Sequence, residues 1–108
     1  MRTVLKLHPR LAPIKAAIFP LVKKEGMPET ARAIAADLRR RFNVMYDEKG
    51  AIGRRYRRQD EAGTPFCVTV DGETLSDGSV TVRERDACSQ SRVAADRLSE
   101  YLTDQIEG

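Results

Sequence analysis

The segment Leu11 to Leu21, LAPIKAAIFPL, is a short apolar run with charged residues on both sides. Pro13 and Pro20 oppose a helix through it, which predicts a strand beginning after Pro13. Because the run is apolar in both phases, its sheet is expected to carry helices on both faces. The period then changes over GMPETARAIAADLRRRF, where Ala31, Ile34, Ala35, Leu38 and Phe42 fall on one helical stripe. Pro28 suits a first turn, and Arg39, Arg40 and Arg41 would close the helix at the negative end of its dipole. FNVMYD follows as a short strand with Val44 and Tyr46 to one side.

In GAIGRRYRRQDEAG, Ile52 and Tyr56 stand one turn apart and can anchor a short helix, which leaves Arg54, Arg55, Arg57 and Arg58 largely outside. Gly63 and Pro65 end it. PFCVTVDGETLSDGSVTVRERD alternates with a period of two, and Asp77-Gly78 predicts a tight turn between two strands. The closing stretch SQSRVAADRLSEYLTDQIEG carries Val93, Ala94, Leu98, Tyr101, Leu102 and Ile106, an amphipathic helix. The order is strand, helix, strand, helix, strand, strand, helix. That order fits an α/β domain with helices packed around a mixed sheet.

At 108 residues the chain is one domain, 1–108, long enough for a core of its own. Its 41% hydrophobic and 32% charged content marks a globular chain and not a disordered one. Two cysteines, Cys67 and Cys88, and no signal-like start favour reduced thiols and a cytoplasmic protein. The apolar patch near the N-terminus is too short and too interrupted to cross a bilayer, so no membrane partner is expected. Net charge is only +3, but between Arg32 and Arg58 nine basic residues face three acidic ones, a local surplus of six. A polyanion partner fits that middle segment, because local field and not total charge attracts it.

Catalytic chemistry finds no residue set. His8 is the only histidine, with no evident nucleophile or metal-ligand partner, and reads as a surface residue. The cysteine spacing matches no zinc signature, so no metal is expected. GAIGRRY lacks the Gly-Lys-Ser/Thr ending of a phosphate loop. Asp60 and Glu61 beside arginines read first as a solvated ion network. The four arginines at 54, 55, 57 and 58 are either an exposed helix face or a set of phosphate contacts beside base-reading side chains. In SVTVRERD, alternation sets Val80, Val82 and Glu84 on one side and Thr81, Arg83 and Arg85 on the other. Arg83 and Arg85 would then extend from one face about 6–7 Å apart, two planar forks suited to bases and phosphates. Asp86 could accept from a base amino group or cap the next helix.

YDEKGAIGRRYRRQDEAGTPFCVTVD followed by GSVTVRERD resembles the C-terminal anticodon-binding domain of glycyl-tRNA synthetase, of the class IIa aminoacyl-tRNA synthetase type. LKLHPRLAPIKAAIFPLVKK looks like that domain's first strand, and the likeness runs from about Leu5 to Tyr101. The resemblance implies a three-layer α/β domain with a five-stranded mixed sheet flanked by helices. It implies a non-catalytic grip on the anticodon stem and loop of tRNA(Gly). Asp47 to Ile52, with Asp47 and Glu48, and Arg83 to Asp86 would lie nearest the anticodon bases, with Arg54, Arg55, Arg57 and Arg58 on the basic helix. Asp60 and Glu61 would orient arginines or touch a base directly. ATP and glycine would bind a catalytic core outside this chain, joined in cis or in trans, so no cofactor is expected here. The rival reading is an accessory or dimerisation subunit on the same fold, as in the accessory subunit of mitochondrial DNA polymerase.

Overall fold

The computed structural model describes residues 12–24, 26–85 and 89–107, with the side chains of Asp60 and Glu61 outside that set. His8, Asp86 and Cys88 also lie outside the described residues. The order is β1 (Ala16–Pro20), α1 (Met27–Leu38), β2 (Val44–Tyr46), α2 (Ile52–Ala62), β3 (Phe66–Val70), α3 (Gly72–Asp77), β4 (Ser79–Glu84), β5 (Ser89–Ala94) and α4 (Leu98–Glu107). A 3-10 turn, Ala95–Arg97, leads into α4. The sheet runs β2-β1-β3-β4-β5. The first three strands are parallel, and β4 and β5 are antiparallel to their neighbours.

All five residues of β1 are buried, as a run apolar in both phases requires. Ala16 and Ile18 face the larger core with Phe66, Val68, Val70, Val80 and Val82. α1 covers that side with Ala31, Ala35 and Leu38, and α4 covers it with Leu98, Leu102 and Ile106. Ala17, Phe19 and Cys67 face the other way, against Ile52 and Tyr56 of α2. Three layers result: α1 and α4, the sheet, then α2. Ile34 and Phe42 are half-buried flanks of the stripe, not full core members.

Three sequence expectations are corrected. First, α1 stops at Leu38, so Arg39, Arg40 and Arg41 lie in the turn beyond the helix. The amide of Phe42 returns to the Leu38 carbonyl at 2.9 Å, and Arg41 reaches the Thr103 hydroxyl at 3.2 Å. Second, Asp77-Gly78 is the end of a helix and not a hairpin turn. Asp71 caps the N-terminus of α3 by accepting from the Thr74 amide, while the Thr74 hydroxyl accepts from the Asp71 amide. Gly78 closes the helix at φ 76, the left-handed conformation glycine adopts most readily. Third, Ser89–Ala94 is an edge strand, not the start of the last helix. It pairs with β4 over six residues, from Ser79 opposite Ala94 to Glu84 opposite Ser89. Backbone pairing outweighs its helical apolar spacing.

Arg92 fastens that edge strand. Its guanidinium donates to both carboxylate oxygens of Asp71, each at 2.8 Å, and its Nε donates to the Ser79 hydroxyl at 2.8 Å. Hydrogen bonds from Arg92 are the main cause that holds the Asp71 carboxyl down at about 2, from an ordinary 3.8, with burial opposing. A carboxyl whose folded value is depressed contributes its stability above its unfolded value and loses it as pH falls toward the folded one. The Arg92–Asp71 contribution is therefore full above about pH 4 and fades toward about pH 2.

Two outcomes follow. Leu38→Ala should destabilise the domain by roughly 2–5 kcal/mol in a denaturant melt. A loss under about 0.5 kcal/mol, the usual size of a surface change, would place Leu38 outside the core. Arg92→Gln should lower the urea midpoint clearly at about pH 5 and far less at about pH 2, where Asp71 has already lost about half its charge in the folded wild-type protein. Equal losses at both pH values would show that Arg92 acts through packing and its bonds to Ser79 and Thr81, not through the Asp71 charge.

Candidate nucleic-acid interface

Helix α2 has a fixed rotation because Ile52 and Tyr56 seat on the Ala17–Phe19–Cys67 surface. The Tyr56 ring meets Phe19 edge-on at 5.5 Å between centroids, and its hydroxyl lies 2.6 Å from the Thr69 hydroxyl. Full burial of such a side chain is worth about 1.5–3 kcal/mol, and partial burial less. An exposed ion pair is worth about 0–1 kcal/mol. Apolar seating therefore sets the helix phase, and the arginines take the sides that remain.

Those sides differ. Arg54 and Arg57 are exposed and form no ion pair among the described residues. Arg58 is half-exposed and donates to the Asp47 carboxylate at 2.8 Å and the Lys49 carbonyl at 2.9 Å. Arg55 corrects the sequence reading: it is 3% exposed, with its guanidinium bonded to the carbonyls of Pro20, Leu21 and Asp47. At about 100° per residue, Arg55 stands roughly 60° from Ile52 around the helix, on the flank of the buried side. The helical phase was the available signal for its burial, and the arginine's charge concealed it. Gln59, on the same side, is buried against the Thr64 hydroxyl at 2.8 Å.

The loop before α2 is braced and not loose. Asp47 accepts from the Lys49 amide at 2.9 Å, and Gly50 takes φ 73 as the chain turns into the helix. Glu48 accepts from the Tyr46 hydroxyl at 3.3 Å, and the Tyr46 ring lies under Arg32, 5.7 Å from its centroid. Burial first, then the Glu48 carboxylate, pushes the Tyr46 phenol above its usual range. Asp47 and Glu48 thus hold the loop in shape. Lys49 is exposed at its tip.

Sequence reasoning missed Lys23 and Lys24. Both are exposed on the loop after β1, whose Pro20 and Leu21 carbonyls Arg55 ties to Asp47. Lys23, Lys24 and Lys49 therefore share the carboxyl-terminal end of the parallel strands, the end where open α/β sheets commonly take ligands. The signal was positional: a basic pair directly after a buried parallel strand.

Of the β4 residues, Arg83 lies on the face away from Val80 and Val82, with its guanidinium 4.9 Å from the Tyr56 ring centroid of α2. Arg85 does not extend beside it. It follows the last residue of β4, is buried, and donates to the Gly63 carbonyl at 2.6 Å. Its amide also donates to the Pro65 carbonyl, so Arg85 secures the link between α2 and β3. Beyond α2 the same sheet face continues over Thr81 and Arg83 of β4 to Arg92 and Gln90 of β5, which stand opposite them in register. Gln90 and Arg92 are exposed. A helix whose Arg54 and Arg57 are exposed thus borders a polar, partly open sheet face. Among the described residues no group of His, Cys, Asp and Glu is placed to hold a metal ion, and no helix is long and apolar enough to cross a membrane.

The arrangement suits a nucleic acid: exposed cations for phosphates, and a stacked arginine and polar sheet groups for bases. Comparisons with known proteins show the family. The chain is 66% identical over 106 residues to a glycine–tRNA ligase of Rhodopirellula baltica, covering 98% of this chain and 20% of that protein. It is 55% identical over 107 residues to a glycine–tRNA ligase of Thermobifida fusca, covering 99% of this chain and 23% of that protein. The chain thus spans about a fifth of the length of these relatives. Prolyl-tRNA synthetase of Cryptosporidium parvum shares the fold, with a TM-score of 0.88 at 21% identity over 95% of this chain and 22% of that one. Residues 15–105 match the family described as the anticodon binding domain, and the chain belongs to that family.

Proposed function

We propose that this chain grips the anticodon stem and loop of tRNA(Gly), without catalysing a reaction itself, as part of a glycine–tRNA ligase. The observation that carries the reading is the exposed pair Arg54 and Arg57, on a helix whose opposite side is seated in the core. Membership of the anticodon-binding family and the names of the similar ligases support the RNA class and the amino acid. Arg54 and Arg57, with Lys49 and the lysines at 23 and 24, attract phosphates and release counterions. Arg83, beside Tyr56, is the base-facing arginine, and Asp86 is the proposed acceptor for a base amino group. Asp47, Glu48 and Arg58 shape the loop between them. ATP and glycine would be handled by a catalytic portion outside these residues, joined in cis or supplied in trans.

The experiment is a titration with tRNA(Gly) and with the same tRNA carrying a swapped anticodon, which keeps phosphate charge constant. Arg54→Gln and Arg57→Gln should weaken both RNAs alike and lower the slope of log K against log salt by about 0.7 each. Arg83→Gln should narrow the gap between the two RNAs by roughly 1–3 kcal/mol at most, the worth of one bidentate base contact. Unchanged slopes at both helix positions would return α2 to a solvated face. A wild-type protein that binds the two RNAs equally would contradict anticodon recognition by this chain.

A further inference from the structure

The four arginines of α2 are two pairs with different surroundings, since residues three apart lie on neighbouring sides of a helix. Arg54 and Arg57 point to solvent. Arg55 and Arg58 turn toward the loop that precedes the helix. Arg55 Nη1 donates to the Pro20 carbonyl at 2.6 Å and to the Asp47 carbonyl at 3.4 Å, and Nη2 donates to the Leu21 carbonyl at 3.3 Å. Its guanidinium lies 5.6 Å from the Phe19 ring centroid. Arg58 takes the carboxylate of the same Asp47 at 2.8 Å and the Lys49 carbonyl at 2.9 Å. Asp47 is thus gripped at its backbone by one arginine and at its side chain by the other.

Stability alone is a poor reason for this arrangement. The carbonyls that Arg55 meets bring no countercharge, and its Nε is buried with no hydrogen-bond partner among the described residues. Desolvating a cation is costly, and an apolar side chain of similar volume often serves a core as well or better. What an apolar residue cannot do is tie the Pro20 carbonyl at the end of β1, and the Leu21 and Asp47 carbonyls of two loops, to one helix.

We propose that Arg55 is a positioning residue for RNA recognition: it holds the Asp47–Lys49 turn against Pro20–Leu21 and touches no RNA itself. The proposal rests on the reading of this surface as an anticodon grip. Lys49 and the lysines at 23 and 24 then meet the RNA on loops already in place. Ordering a loop before binding removes that cost from the association.

The test uses the whole chain, tRNA(Gly) and the anticodon-swapped tRNA, with Arg55→Met and Arg55→Lys. Arg55→Met should weaken tRNA(Gly) roughly tenfold, equivalent to about 1.4 kcal/mol, while the salt slope stays at the wild-type value. Arg55→Lys should recover part of that affinity, because an ammonium can still donate to the carbonyls. Should Arg55→Met fail to fold, Arg55→Lys carries the test by itself, with a smaller loss at an unchanged slope. Hydrogen exchange of the RNA-free protein supplies the second readout. The amides of Leu21 and Lys49 should exchange faster in the folded variants, while β1 and β3 keep their protection. A slope lowered by about 0.7 with unaltered loop exchange would make Arg55 a phosphate contact and overturn the proposal. So would unchanged affinity in a folded variant, or loss of protection throughout the sheet in both variants. A wild-type chain that does not separate the two tRNAs overturns the recognition reading, and that result is seen before any variant is made. Faster loop exchange with unaltered binding overturns only the role given to Arg55.

Discussion

β1 is buried on both faces, and the rest of the domain is arranged to meet that demand. A five-residue strand with no polar side needs partners on both edges and cover above and below. The parallel neighbours β2 and β3 supply the edges, and the crossovers that link parallel strands place α1 on one face and α2 on the other. α2 must therefore present an apolar side to Ala17 and Phe19, and Ile52 and Tyr56 are that side. Once they are seated, the direction of every arginine on the helix is decided. The basic face of this protein is a consequence of how its central strand is covered.

The same packing explains how a modest net charge becomes a directed one. Several charged groups near the surface are occupied by structure. Asp47 is held by Arg58, Asp71 by Arg92, and Arg85 bonds the Gly63 carbonyl. Arg55 is spent on carbonyls beneath the loops. Arg54, Arg57, Lys49, Lys23 and Lys24 stay exposed on one helix side and the two loops beside it. Charge near the site therefore divides between groups that shape loops and groups available to phosphates. A count over the sequence merges the two.

Much of the fold was legible because strong periodicities agreed with burial. β1, α1, β2, α2 and β3 fall where apolar spacing places them, and Val80 and Val82 share a face with Val68. Failures came where local pattern and tertiary context disagreed. Ser89–Ala94 has the composition of a polar segment and a helical spacing of Ala94 with Leu98, yet its backbone completes the sheet. α3 was hidden because Asp71-Gly72 and Asp77-Gly78 both look like turns, although Asp71 and Thr74 form a capping box. At the candidate site, sequence spacing pointed to a loop and a strand that both meet α2, through Arg58 and through Arg83 beside Tyr56. It misjudged Arg55 and Arg85 because a buried arginine bonded to carbonyls leaves no apolar trace in the sequence. Lys23 and Lys24 join the surface only through strand order, which a linear reading does not contain.

The central claim is that α2's outward side and the loops at the carboxyl-terminal end of the parallel strands form one RNA surface. Titrating isotopically labelled protein with an anticodon stem-loop, and following amide and arginine side-chain signals, tests it most directly. The account predicts that perturbations gather at Arg54, Arg57, Lys49, Lys23, Lys24 and Arg83, while Arg55 keeps its solvent-protected signal. Perturbations confined to the outer sides of α1 and α4, with the α2 arginines unmoved, would contradict it.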